Sequence, residues 1–158
     1  LLIFQTYSFL HHNKGKLHML KRALVYVNGK SSPSIQPDGK EIDVIDNSSI
    51  EDLPNSVYDE IELLDVLEYD ERANILDIVV KKLRHQGIVK ISGVDCFQVA
   101  KSFTNGEISM ETASDKLLNG RYKMCSVHAL REKLESQAFE IGLVAIAGFR
   151  YILEAKRP

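Results

Sequence analysis

The stretch Tyr58-Asp59-Glu60-Ile61-Glu62-Leu63-Leu64-Asp65-Val66-Leu67-Glu68-Tyr69 holds the residues best placed to do chemistry. Asp59-Glu60-Ile61-Glu62-Leu63-Leu64 reads as a buried strand, Asp65 falls where that strand stops, and Val66-Leu67-Glu68-Tyr69 turns into a helix. An acid at the carboxyl end of a parallel strand stands where open α/β sheets hold their ligands. The alternative is a strand that ends in a solvated acid. Tyr69 and Tyr122 are candidates to line a substrate pocket, with a core position as the alternative for Tyr69. His85 and His128 titrate in the useful range, but nothing in the sequence pairs either with a nucleophile or a carboxylate, so both read as surface residues. His11-His12 are adjacent, and adjacent helix positions do not face one ion. Cys96 and Cys125 match no metal or redox spacing, and Cys125 lacks the electropositive setting of a reactive thiolate.

Several elements must position these residues. Ala23–Val27 is a short apolar run closed by Asn28-Gly29, which predicts a buried first strand. Two prolines and a glycine within residues 31–40 predict a loop. Residues 41–46 predict a second strand and 47–55 a polar loop toward the stretch above. A helix over about 70–85 follows, with Asp70 and Glu71 at its amino end and Lys81, Lys82 and Arg84 at its carboxyl end. Gly87 is placed to stop it. Residues 88–95 form another strand that ends on an acid, which makes a right-handed βαβ unit the default. Residues 96–125 are less regular, apart from a helix over about 109–118 closed by Asn119-Gly120. Ser126 is placed to cap a helix over about 127–137. Residues 139–146 and 149–155 are two strands around Ala147-Gly148, and so short a link forces antiparallel pairing.

With 158 residues, one domain over 19–158 is the natural expectation. Residues 1–18 form an extension that admits two readings: an upstream remnant before Met19, or a helix packed against the sheet edge. Hydrophobic residues at 44% and charged residues at 27% are ordinary for a globular chain, and a net charge of −2 gives no basic footprint for nucleic acid. No apolar run approaches the roughly 18 residues of a membrane span. Idle thiols and the lack of a secretory signal suit a cytoplasmic setting.

This order of elements, with three stretches, resembles the class I S-adenosylmethionine-dependent methyltransferases, and most closely their small bacterial type-11-like group. Asp59-Glu60-Ile61 through Val66-Leu67-Glu68-Tyr69 resembles the family's Asp-Glu-Ile … Val-Leu-Glu-His stretch, with Tyr69 in place of His. Lys82–Ile91 resembles its Leu-Lys-Pro-Gly-Gly-x-Leu-x-Ile turn, keeping only Gly87. Leu130–Glu140 resembles the helix entering strand six, with Ala138 where glycine is usual. The resemblance spans about residues 22–156. It implies a Rossmann-like α/β fold: a mostly parallel sheet with a reversed last strand, reduced in its amino-terminal half.

The resemblance also implies a site. Asn28 and Gly29 fall on the family's glycine-rich cofactor loop, where Asn28 and Lys30 replace glycines that leave room for the ligand. Asp43 falls nearest the acid that holds the ribose, with Asp46 as second candidate. Ser49 and Ile50 fall beside the adenine, and Asp65 beside the cofactor at the end of the fourth strand of the family fold. No catalytic residue is assigned, since methyl transfer needs little beyond alignment of the reacting atoms. Two functions follow: transfer of a methyl group from S-adenosylmethionine to an unidentified acceptor, or a cofactor-free descendant that serves as a binding or assembly module. The expected partners are a small-molecule cofactor and acceptor, with no nucleic acid and no membrane.

Overall fold

The computed structural model describes residues 20–30 and 42–158; the readings of residues 1–18, of His11-His12 and of the loop over 31–40 lie outside them. Along the chain run β1 (Arg22–Tyr26), β2 (Ile42–Asp46), a 3-10 turn (Asn47–Asp52), β3 (Tyr58–Leu64), α1 (Val66–Tyr69) and α2 (Ile75–Lys82). Then come β4 (Leu83–Val94), α3 (Cys96–Thr104), α4 (Met110–Leu118), α5 (Val127–Ser136), β5 (Glu140–Ala147) and β6 (Arg150–Lys156). The strands form one sheet in the order β2-β1-β3-β4-β6-β5. The first three pairings are parallel, and β6 runs antiparallel to both its neighbours. The expected mostly parallel sheet with a reversed last strand is therefore the observed architecture. The chain steps outward from β1 to β2 and then returns to the far side of β1 for β3. Strand order thus reverses between β1 and β3.

Alternation along each strand sorts the side chains by face. Ala23 and Val25 pair with Ile61 and Leu63, which pair with Val89 and Ile91, which pair with Ala155 and Leu153. All eight are buried, and Val66, Leu67, Ile75, Leu76, Val79 and Leu134 of α1, α2 and α5 join them in one core. The other face carries most of the charge, with Leu24, Leu64 and Ile152 among the charged side chains. Arg22 bonds Glu60 at 2.7 Å, Lys90 reaches Glu60 at 3.3 Å, and Lys90 approaches Glu154 at 3.9 Å. The stretch expected as a buried strand is thus an alternating one, with Glu60 and Glu62 on the charged side.

The expected helix over 70–85 is shorter. Asp70 is extended and buried, and its carboxylate is bonded by Arg72 and Asn47, so residues 70–74 are held out of the helix. At the other end Leu83 is already strand. Gly87 is not the stop expected of it: Gln86 has the positive φ of 63°, while Gly87 lies buried in β4 against the backbone of Arg84 and Tyr58. There Arg84–Gly87 stand opposite the single residue Asp59. Residues 96–104, read as irregular, are α3. Its signal was present as Asp95-x-x-Gln98, a capping-box spacing. Ser126 does not cap α5 by its side chain. Asp95 does so instead: Oδ1 accepts from the Gln98 amide of α3 at 3.1 Å and Oδ2 from the Val127 amide of α5 at 2.8 Å.

One buried carboxylate therefore seats two helix starts at the end of β4. Replacing Asp95 with Ala removes both caps and should lower the unfolding free energy by about 2–4 kcal/mol, read from urea denaturation. A change within about 0.5 kcal/mol would show that neither cap matters to stability.

Candidate functional site

The carboxyl ends of β1, β2 and β3 share one rim, and the strand-order reversal puts its crevice between β1 and β3. β1 leaves through Val27 into a turn over 28–30. Gly29 holds φ 73° there, and a Cβ on it would meet nothing within 4 Å. The Asn28 amide donates to Asp46 Oδ2 at 3.0 Å, while Oδ1 of the same carboxylate accepts from the Ser48 amide at 3.0 Å and its hydroxyl at 2.7 Å. The Ser48 hydroxyl above all, with these amides, holds the Asp46 carboxyl below its usual range. It is an ionised acid at the tip of β2, tied to the exit of β1.

The other residues singled out in sequence are placed differently. Asp43 lies toward the amino end of β2, opposite Ala23, and accepts from the Tyr58 hydroxyl at 2.6 Å with Lys21 at 3.6 Å. A strand advances about 3.3 Å per residue, so three residues move an acid about 10 Å from the rim. Asp46, the second candidate, is the one that reaches it. Ser49 is exposed on the 3-10 turn, and Ile50 beside it is wholly buried in the core, with no surface to offer an adenine. That turn is pinned from beneath. Arg72 donates to the Asn47 carbonyl at 2.7 Å, and the Lys82 ammonium donates to the carbonyls of Glu51 and Leu53 at 2.9 and 2.6 Å. Asp65 does stand at the tip of β3, in the left-handed region with φ 58°. Its carboxylate turns toward β6, where Arg150 meets it at 2.7 Å. Asn28, Gly29 and Asp46 are thus brought together, and Asp43, Ile50 and the Asp65 carboxylate are not among them.

Sequence reading passed over Glu68. It is only 1% exposed, and its Oε1 accepts from the Val94 amide at 2.6 Å. A Cβ on Gly93 would come within 2.0 Å of that oxygen, so the glycine makes the niche. Burial raises the Glu68 carboxyl to about 7, the nearby Asp65 adding to the effect and Arg121 opposing it. Its carbonyl also accepts from the Tyr122 amide at 2.9 Å. Among the described residues, the buried side-chain polar atoms without a protein partner are Glu68 Oε2, Arg121 Nε, Ser126 Oγ and Tyr151 Oη. Next along the chain, Tyr69 is not in the core but at the rim, with Lys30 Nζ 5.3 Å and the Arg121 guanidinium 4.9 Å from its ring centre. Tyr122 is exposed, as are His85 and His128, the latter 3.3 Å from Glu132. Cys125 is buried and its thiol is pushed up to about 12, chiefly by that burial.

The Glu68 carboxyl rises from an ordinary 4.5 to about 7 on folding, so its contribution to stability is complete below pH 4.5 and is lost as pH climbs through 7. Glu68→Gln removes that titration. Urea denaturation across pH 4.5–7 should show the variant gaining on the wild-type protein with rising pH, by as much as about 1.4 kcal/mol per pH unit. Parallel profiles would mean that Glu68 ionises normally in the fold.

No family model matches the sequence, and neither does any curated protein. Solved structures do. A methyltransferase from Archaeoglobus fulgidus, dependent on S-adenosylmethionine, aligns with TM-score 0.57 and 11% identity over 87% of this chain and 86% of its own. A "possible histamine N-methyltransferase" from Thermotoga maritima gives TM-score 0.52 and 13% identity over 74% of this chain. The alignment spans about 65% of the Thermotoga protein's length. The Burkholderia thailandensis 1,6-didemethyltoxoflavin-N1-methyltransferase, solved with S-adenosylhomocysteine, gives TM-score 0.52 and 14% identity over 86% of this chain and 70% of its own. Identities this low speak to architecture, and together with the reversed β6 they show that the chain has the class I S-adenosylmethionine-dependent methyltransferase fold.

Proposed function

We propose that the protein binds S-adenosylmethionine at the β1–β3 rim and transfers its methyl group to an acceptor. The observation that carries this reading is Asp46: an ionised carboxylate at the tip of β2, bonded to the turn that leaves β1, at the point where strand order reverses. It fits a ribose. A carboxylate has about four acceptor positions, and Asp46 spends three on Asn28 and Ser48, which leaves Oδ2 able to accept a hydroxyl proton. The open space about Gly29 fits a ligand passing close to the backbone. The bound cofactor would supply a methyl on a cationic sulfur, taken by the acceptor's lone pair while the sulfur keeps the bonding electrons. The chain's share is alignment: Asn28-Gly29 and Asp46 fix the nucleoside, and the rim at Tyr69 borders the reacting end. No residue here is assigned as a base. The chain's free thiols Cys96 and Cys125 suit a cytoplasmic setting. Among the described residues no helix is long and apolar enough to cross a membrane.

Lys30 favours a second reading. It stands where a glycine would leave room, and its ammonium reaches across to Tyr69. A protein that had given up the cofactor and kept the fold as a binding module would tolerate such a side chain.

Calorimetric titration with S-adenosylhomocysteine separates the two. Heat of binding is expected, and its absence at millimolar ligand leaves only the second reading. Asp46→Ala should weaken binding about tenfold or more, while Asp43→Ala should leave it within about twofold. The reverse pattern would return the ribose to Asp43.

A further inference from the structure

Two cations at the rim have no role in the scheme above. Lys30 follows Gly29, its amide donates to the Val27 carbonyl at 3.0 Å, and its side chain crosses from the exit of β1 to Tyr69. Its Nζ lies 2.9 Å from where a Cβ on Gly120 would be, and Gly120 holds φ 67°, so this glycine provides the room the ammonium occupies. Arg121 is the next residue. Its Nη1 donates to the Asp115 carbonyl at 3.0 Å, its Nε is buried without a partner, and its guanidinium also lies on Tyr69. Elsewhere in the fold Arg22 is paired with Glu60, Arg72 with Asp70 and Arg150 with Asp65. Among the described residues, neither Lys30 nor Arg121 meets a carboxylate.

We propose that Lys30 and Arg121, converging on Tyr69 at the carboxyl rim, bind an anionic group, a carboxylate or phosphate, carried by the methyl acceptor. Calling the anion's bearer an acceptor rests on the methyltransferase reading; the anion site itself does not. Guanidinium offers a planar fork of donors and ammonium a compact charge, a combination that suits a planar carboxylate or a phosphate. Two like charges held about 5 Å from one ring centre repel each other, and an anion bound by both offsets that cost. The acidic groups near Arg121 leave its charge available. Glu68 is kept protonated by burial up to about 7, and the Asp115 carboxylate accepts from the Asn119 side chain at 2.7 Å. The transferred methyl leaves a cationic sulfur, so an acceptor that brings a negative charge to this end also offsets the like charge of Lys30 and Arg121 on the donor. The same chemistry could come from the cofactor's own carboxylate, and the test separates these sources.

Inorganic phosphate is the probe. Wild-type protein titrated with phosphate, against chloride at equal ionic strength, should give saturable shifts of the Gly29, Gly120 and Arg121 amides with a millimolar midpoint. Lys30→Met and Arg121→Gln should each weaken binding about fivefold or more, and Arg121→Lys should restore part of it. Urea midpoints near wild type show that the variants are folded. Shifts that chloride reproduces, or that survive in the double variant, overturn the site. The titration is then repeated with S-adenosylhomocysteine saturating. Phosphate that still binds supports an acceptor's anion, whereas phosphate that is displaced assigns the pair to the cofactor's carboxylate and overturns the acceptor. If S-adenosylhomocysteine does not bind at all, the methyltransferase reading and the acceptor fall with it, and the phosphate isotherm still decides the anion site.

Discussion

The register of β1 against β3 is the constraint on which the rest of this structure depends. Pairing Ala23 with Ile61 and Val25 with Leu63 puts these four apolar side chains on one face, against the core. It also brings their carboxyl ends level, so that Asn28-Gly29, Asp46 and the Asp65–Tyr69 corner share a rim. A slip by one residue would send Glu60 and Glu62 into the core and the apolar set outward. Buried acids without partners cost several kcal/mol, so the register is strongly specified.

Around that frame the molecule uses carboxylates as fasteners. Asp95 seats α3 and α5, Asp70 and Arg72 hold the 3-10 turn, and Glu68 joins α1 to β4 by its side chain and to Tyr122 by its carbonyl. Each links segments distant in sequence, where apolar contact alone would leave orientation loose. Among the described residues, only Asp70 of these three acids has a cation within bonding distance, Arg72. Asp95 is held by two backbone amides and Glu68 by one. Burial without a salt-bridge partner keeps the proton of Glu68 on near neutrality. The apolar core and the charged outer ladder Arg22-Glu60-Lys90-Glu154 divide the sheet between two environments, an arrangement less usual for parallel strands than burial on both faces.

The rim is more cationic than the glycine-loop resemblance implies. Where small residues would leave a hollow, Lys30 spans it, and Gly120 on the opposite side is what accommodates the ammonium. The substitution in one loop is matched by a glycine ninety residues away, which is why neither position is interpretable alone. Tyr69, standing where the related stretch has a histidine, is the surface on which the two cations converge.

Much of this was present in the chain as written. Short apolar runs, with alternation over 41–46 and 149–155, marked the strands, Ala147-Gly148 the final hairpin, and Asn119-Gly120 the end of α4, because each depends on neighbours a few residues apart. The Asp95-x-x-Gln98 start of α3 was equally local, and was passed over. What sequence alone could not decide was every matter that depends on distance across the fold. Asp43 and Asp46 look alike as acids of one short strand, and only the register against β1 shows which one reaches the rim. Asp70 looks like a helix start until Arg72 and Asn47 are seen to bind it, and Glu68 looks like a surface acid until Gly93 opens a niche for it. Local propensity is written along the chain, but the burial that sets a carboxyl's charge and the reach of a lysine to a tyrosine arise only when distant segments meet.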